Sequence, residues 1–294
     1  MSDATGAASA DKSRELKLRV MSALVIAPVA LAVTWFGGVA FSALVVVCAV
    51  LMAHEWATIS MGESVAPLRL AALGLVGLSV AAFAFGARLG LLPPAIAFAV
   101  VVSLGLAGAL AMREARTSGL GAAAVSWAPW GALYAALPCM ALDALRAGPK
   151  GLWLVLFLFA VVWSTDIAAY FTGRALGGPK LWPAVSPKKT WSGAIGGLLA
   201  AALAGVAVAA AAGAPRLVPV FLVAAALSIA SQGGDLFESS LKRRFGVKDS
   251  GRLIPGHGGI LDRVDGLITA AVLAVVIATL NGGAASATRG LLGW

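Results

Sequence analysis

A chain of 294 residues with 60% hydrophobic and only 12% charged side chains, at a mean hydropathy of +0.94, cannot cover itself with an ordinary soluble surface. The net charge of +9 would point to nucleic acid in a soluble domain, but here the cations fall between apolar segments rather than along one polar face. Membrane topology and anionic lipid account for them, and no nucleic-acid partner is expected. The two cysteines, Cys48 and Cys139, each lie inside an apolar run, which argues against a disulfide framework or a thiolate metal site.

Residues 1–11, MSDATGAASAD, are small and polar and read as a disordered tail. Apolar windows long enough to cross a bilayer follow near 20–36, 38–60, 69–87, 89–111, 120–140, 151–173, 192–213, 216–240 and 260–281. The fold expected is therefore all-α, a polytopic membrane protein of about nine transmembrane helices. Ala40–Ala43 imitates a signal-peptidase site, but the apolar run continuing past it favours a retained hairpin. With the N-terminus cytoplasmic, 17 of the 22 basic residues fall inside, leaving Arg88, Arg146, Lys150, Arg216 and Arg289 outside. A missed span would destroy that asymmetry. Residues 12–150 then form an N-terminal region of about five helices. Residues 151–294 form the chemistry-bearing region, with cytoplasmic loops near 174–191 and 241–259. The Ala, Gly and Arg content points to a bacterial source and an inner (plasma) membrane.

The sixth span carries Trp163, Asp166, Tyr170 and Arg174 on one face. The eighth turns polar from Ser228 onward, with Asp235, Glu238 or Ser239, and Lys242 at helical spacing. Ionisable groups in membrane segments usually mark function, and two carboxylate-bearing helices predict a shared cavity. Between spans six and seven, Gly177, Gly178, Lys180, Ser186, Lys188, Lys189 and Thr190 can cradle phosphates, although the lysines serve equally as topological anchors. Asp262 and Asp265 stand three apart where the ninth span begins, a pattern compatible with helix capping or with a hard-oxygen site for Mg²⁺. His257, between glycines, reads as an acid, an orienting hydrogen bond or a plain loop residue. His54, beside Glu55 and Trp56, reads as a buried polar contact.

The run Ser239-Ser240-Leu241-Lys242-Arg243, Lys248-Asp249, Gly251, Ile254-Pro255, His257-Gly258-Gly259-Ile260 and Asp262-Arg263-Val264-Asp265 resembles the signature of the phosphatidate cytidylyltransferases, or CDP-diacylglycerol synthases. Asp166 to Tyr170, Gly173-Arg174 and Ser186 to Trp191 resemble the family's other shared block, with Glu55-Trp56 a weak echo further back. Ser192 departs from the pattern, standing where many members carry an acidic residue. The resemblance implies Mg²⁺-dependent transfer of cytidylyl from CTP to phosphatidic acid in a lipid membrane, facing the cytoplasm. It also implies a homodimer. On that basis Asp235, Asp262, Asp265 and Asp166 are expected to hold metal. Lys242, Arg243, Lys248 and Arg263 should meet phosphates, aided by Ser186, Lys188, Lys189 and Thr190. Asp249 and His257 belong in the site with no assigned role. The rival readings are a CTP-dependent polyprenol-type lipid kinase and an ion-coupled transporter using Asp166 and Asp235 as a relay.

Overall fold

The computed structural model describes residues 21, 24–61, 66–86, 122–251, 253–254, 258–282 and 287–293. In hydrocarbon every backbone N–H and C=O must be satisfied within the chain, so long apolar segments settle as helices. The helices are α1 (Leu24–Phe36), then α2 (Gly38–Met61), α3 (Ala66–Gly86), α4 (Ala122–Ala147), α5 (Gly151–Leu176), α6 (Trp191–Ala211), α7 (Leu217–Arg244), α8 (Leu261–Gly282) and α9 (Ala287–Leu292). Among the described residues five are long and apolar enough to cross a membrane: α2, α5, α6, α7 and α8. The chain is thus mostly helical and polytopic. The tail and the fourth window, 89–111, lie outside the described residues. Apolar side chains at Ile195, Leu199 and Leu203 on α6, and at Val218, Leu222 and Ile229 on α7, point away from the protein, as lipid-facing stripes do.

Between helices in lipid the hydrophobic effect gives little, so close van der Waals packing at small residues holds them together. A Cβ on Gly197 of α6 would come 2.7 Å from the Thr165 carbonyl oxygen of α5, and one on Gly234 of α7 would come 2.6 Å from the Asp265 carbonyl oxygen of α8. Both contacts require glycine. Two apolar cores result. One joins Leu154, Phe157, Ala201, Ala224, Leu227 and Ala271, and the other joins Phe41, Trp56, Val80, Ala135, Leu241 and Ile268. Helices α4, α5, α7 and α8 contribute to both and so join the N-terminal helices to the rest.

The all-α expectation needs one correction. Strands β1 (Lys180–Trp182) and β2 (Ser186–Thr190) form an antiparallel hairpin, with Lys180 opposite Thr190, Trp182 opposite Ser186 and an irregularity between. Pro183 ends the first strand, and the Val185 amide closes the turn on the Trp182 carbonyl at 3.2 Å. Thr190 then caps α6 by accepting the Gly193 N–H at 3.1 Å. The second long loop starts later than expected, because α7 continues through Gly233 and Gly234 to Arg244. Both loops lie at one end of the bundle. At the opposite end the Lys150 ammonium donates to the Ala212 carbonyl at 3.1 Å, tying the α4–α5 and α6–α7 links together.

Candidate active site

Helices α5, α6, α7 and the hairpin enclose a cavity of about 610 Å³, within the ~300–1,000 Å³ usual for small-molecule sites. Asp166, Tyr170 and Arg174 reach it from successive turns of α5, and Gln232 and Asp235 from α7. The shared cavity expected from the two polar stripes is therefore present. Lys180, Lys188, Lys189 and Thr190 of the hairpin form its rim, beside Gly177 and Gly178, whose positive φ values turn the chain there. Four cations, counting Arg174, face two carboxylates. Lys189 pairs directly with Asp235, and Arg174 Nη1 donates to the Tyr170 hydroxyl at 2.9 Å. Such a surplus of positive charge in a concave site favours a polyanionic ligand. Ser192, the departure from the family pattern, donates to the Gly177 carbonyl and stands 3.0 Å from the Thr190 hydroxyl, so it braces this rim.

A second cluster lies where α7, α8 and their connecting loop meet. Lys242 Nζ is 2.6 Å from Asp262 Oδ1 and 3.5 Å from Glu238 Oε1. Asp262 Oδ2 accepts from the Ser250 amide at 2.8 Å, the Ser250 hydroxyl at 2.8 Å and the Gly259 amide at 2.9 Å. Asp265 Oδ1 accepts from the Gly266 amide at 2.7 Å, and Ser239 Oγ lies 3.4 Å from Asp235 Oδ1. Asp166, Asp235 and Asp265 are within electrostatic reach of one another, with Lys189 acting on both Asp166 and Asp265.

The expected residues accordingly divide. Asp166, Lys188, Lys189, Thr190 and Asp235 meet around one cavity. Ser186 does not line it and serves instead in the hairpin pairing. Lys242, expected to meet phosphate, is engaged by Asp262 and Glu238 inside the protein. Arg243, Lys248, Asp249 and Arg263 are exposed at the same end of the bundle, outside the cavity lining. His257 lies outside the described residues.

Three residues go beyond the expected set. Arg174 was visible on the Asp166 face of its helix, and Glu238 on the Asp235 face of its own. Glu55, 1% exposed, takes hydrogen bonds from the α7–α8 loop, and its signals in the sequence were its position in an apolar span and the weak family echo at Glu55-Trp56.

Among the described residues no three Asp, Glu, His or Cys side chains converge on a metal position. Mg²⁺ does not require three, because it commonly takes one or two carboxylates and completes its shell with water and substrate phosphate. The oxygen-only donors Asp235, Asp265 and Asp166 fit that pattern. Asp262 fits it poorly, since four donors already occupy its oxygens.

Residues 17–280 match the sequence profile of the cytidylyltransferase family. Proteins named phosphatidate cytidylyltransferase from Brucella suis biovar 1 (strain 1330) and Brucella melitensis biotype 1 are each 45% identical to this chain over 260 residues, covering 88% of it and 91% of theirs. A protein of the same name from Rickettsia bellii is 40% identical over 155 residues, 48% of this chain and 64% of that one. With a match spanning nearly its whole length and relatives this similar, the chain belongs to the cytidylyltransferase family.

Proposed function

We propose that this protein transfers the cytidylyl group of CTP to phosphatidic acid, giving CDP-diacylglycerol and pyrophosphate for phospholipid synthesis. The observation that carries the proposal is the basic cavity with Asp166 and Asp235 in its wall, opening at the helix ends where a lipid headgroup can meet it. Lys180, Lys188, Lys189 and Arg174 would hold the triphosphate and offset the charge on the departing pyrophosphate. Arg243, Lys248 and Arg263, exposed at the same end of the bundle, would draw the phosphatidate headgroup to the cavity. Phosphatidate is a phosphate monoester, already anionic near neutral pH. Its oxygen forms the new bond to the α-phosphorus as the bond to pyrophosphate breaks, and no strong general base is needed. Asp235 and Asp265, with Asp166, would hold Mg²⁺, which supplies Lewis-acid stabilisation of phosphoryl oxygens when bound. Lys189 would exchange Asp235 for phosphate as the nucleotide enters.

In this proposal about nine transmembrane helices, the sequence windows from 20–36 to 260–281, cross a bacterial inner membrane, with the N-terminus and the active site on the cytoplasmic side and two copies forming a homodimer. The basic-residue asymmetry supports that direction, as does the grouping of both long loops at one end with the Lys150–Ala212 link at the other. The test is purified protein with phosphatidate, Mg²⁺ and CTP labelled at the α-phosphate. The expected outcome is labelled lipid and one pyrophosphate per turnover. Label entering lipid from the γ-phosphate instead would identify a kinase and overturn the proposal.

A further inference from the structure

An α-helix leaves the amides of its first turn without partners of its own, and a buried helix start must find them elsewhere. At the start of α8 the partners can be counted. The Leu261 amide donates to Glu55 Oε2 at 2.9 Å, the Asp262 amide to Ser250 Oγ at 3.3 Å and the Arg263 amide to the Ile260 carbonyl at 3.0 Å. Just before the helix, the Ile260 amide donates to Glu55 Oε1 at 2.8 Å. Glu55 thus performs a capping role from α2, more than 200 residues away in sequence. Its third donor is the Ser250 hydroxyl at 3.0 Å, which also lies 2.8 Å from Asp262 Oδ2. One hydroxyl therefore lies between two enclosed carboxylates and shares its single proton between them. The fit is tight, since a Cβ on Gly251 would come 2.8 Å from Glu55 Oε1, and Gly259 packs against the same carboxylate.

A carboxylate at 1% exposure in an apolar helix is costly to bury, and this one is aimed at the loop and the helix start that carry Lys248, Asp262 and Asp265. We propose that Glu55 is a positioning residue for the transfer reaction. From the N-terminal helices it fixes the start of α8 and the 248–251 segment, so that Asp265 stays beside Asp235 and the Lys242–Asp262 pair stays closed. The kinetic part of this inference rests on the function proposed above. The structural part does not. Displacement of a reacting group by about 1 Å can cost on the order of 10²-fold in rate, so a latch at this distance can govern turnover without touching substrate.

The test uses the full-length protein in detergent with Glu55→Gln, which keeps the shape but turns an amide group toward one of the three donors, and Ser250→Ala, which removes only the bridge. Three quantities are read: kcat and KM for CTP, the thermal midpoint, and the rate of tryptic cleavage after Lys248. Glu55→Gln should lower kcat about 10- to 100-fold, with KM within about threefold, should lower the midpoint as the loss of a buried acceptor does, and should speed cleavage at least tenfold. Ser250→Ala should move the same readouts less. The double variant should lose less than the product of the two, because both act on one bridge. A folded Glu55→Gln with kcat within twofold of wild type and unchanged cleavage would overturn the inference. So would a kcat loss matched by a falling midpoint at unchanged cleavage, which marks a role in stability alone. If Glu55→Gln does not fold, Ser250→Ala decides by the same criteria. An inactive wild type would sink the proposed reaction, whereas the cleavage assay needs no substrate and still decides the latch.

Discussion

The cavity and the α7–α8 junction treat their carboxylates in opposite ways. On the cavity side Asp166 and Asp235 stand in an open, cation-rimmed space, and the one paired cation, Lys189, comes from a hairpin that can exchange it for a ligand. At the junction Asp262 and Glu55 are closed in, and together they accept from the amides of Ser250, Gly259, Ile260 and Leu261 and from the Ser250 hydroxyl. A carboxylate whose lone pairs are already filled stabilises a shape, and one whose lone pairs face a cavity is available to a ligand. In sequence, Asp235 and Asp262 look alike.

The largest expected effect lies on the open side. Asp235→Asn should lower kcat about 10³-fold while leaving the thermal midpoint within a degree or two, because a ligand-facing charge is lost and only the part-exposed Lys189 pair and a long Ser239 hydrogen bond are weakened. Steady-state turnover and a melting curve on the same preparation check both halves. Asp262→Asn should show the converse balance. The neutral amide cannot accept from four donors, so stability should fall by about 1.5–3 kcal/mol, and activity should fall with the loosened loop. A melting curve unmoved by Asp262→Asn, with turnover abolished, would erase the distinction between the two sides and restore Asp262 to the ligand-facing group.

Much of the fold was legible because hydrocarbon leaves little choice: an apolar run of sufficient length becomes a helix, and α2, α5, α7 and α8 fall close to their windows. The cavity was legible too, because Asp166 and Asp235 sat on polar stripes of two helices. What escaped was local or long-range. The window 216–240 already held Gly233 and Gly234, but not the reason for them: Gly234 is needed for the close crossing with α8. Pro183 and Pro187 interrupt the alternation that would announce a hairpin. Glu55 meets its partners across 195 to 206 residues, a separation no spacing rule spans. Lys242 carries the same charge as Lys188, and only the fold shows that one is enclosed by carboxylates and the other lines the cavity.

A smaller effect sharpens the comparison within the cations. Lys188→Gln removes a charge from the cavity rim and should cost at least tenfold in kcat/KM for CTP, about 1.4 kcal/mol. Unchanged CTP kinetics would make Lys188 a topological anchor only.

The smallest effect belongs to the exposed cations. Arg243 and Lys248 line no part of the cavity and stand where solvent ions reach them, so their interaction with a lipid phosphate should be weak and screened. Replacing either with Gln should raise the KM for phosphatidate in mixed micelles about twofold to fivefold at low ionic strength, and hardly at all near 0.5 M salt, where the Debye length shrinks to about 4 Å. CTP kinetics should stay as in wild type at both salt concentrations. The measurement is a matched pair of titrations, lipid at fixed nucleotide and nucleotide at fixed lipid, at the two salt levels. A tenfold rise in the KM for CTP that survives high salt would move Arg243 or Lys248 from the headgroup's approach to the triphosphate itself. The loop would then close over the nucleotide during turnover, and the latch at Glu55 would be holding a catalytic cover rather than a docking surface.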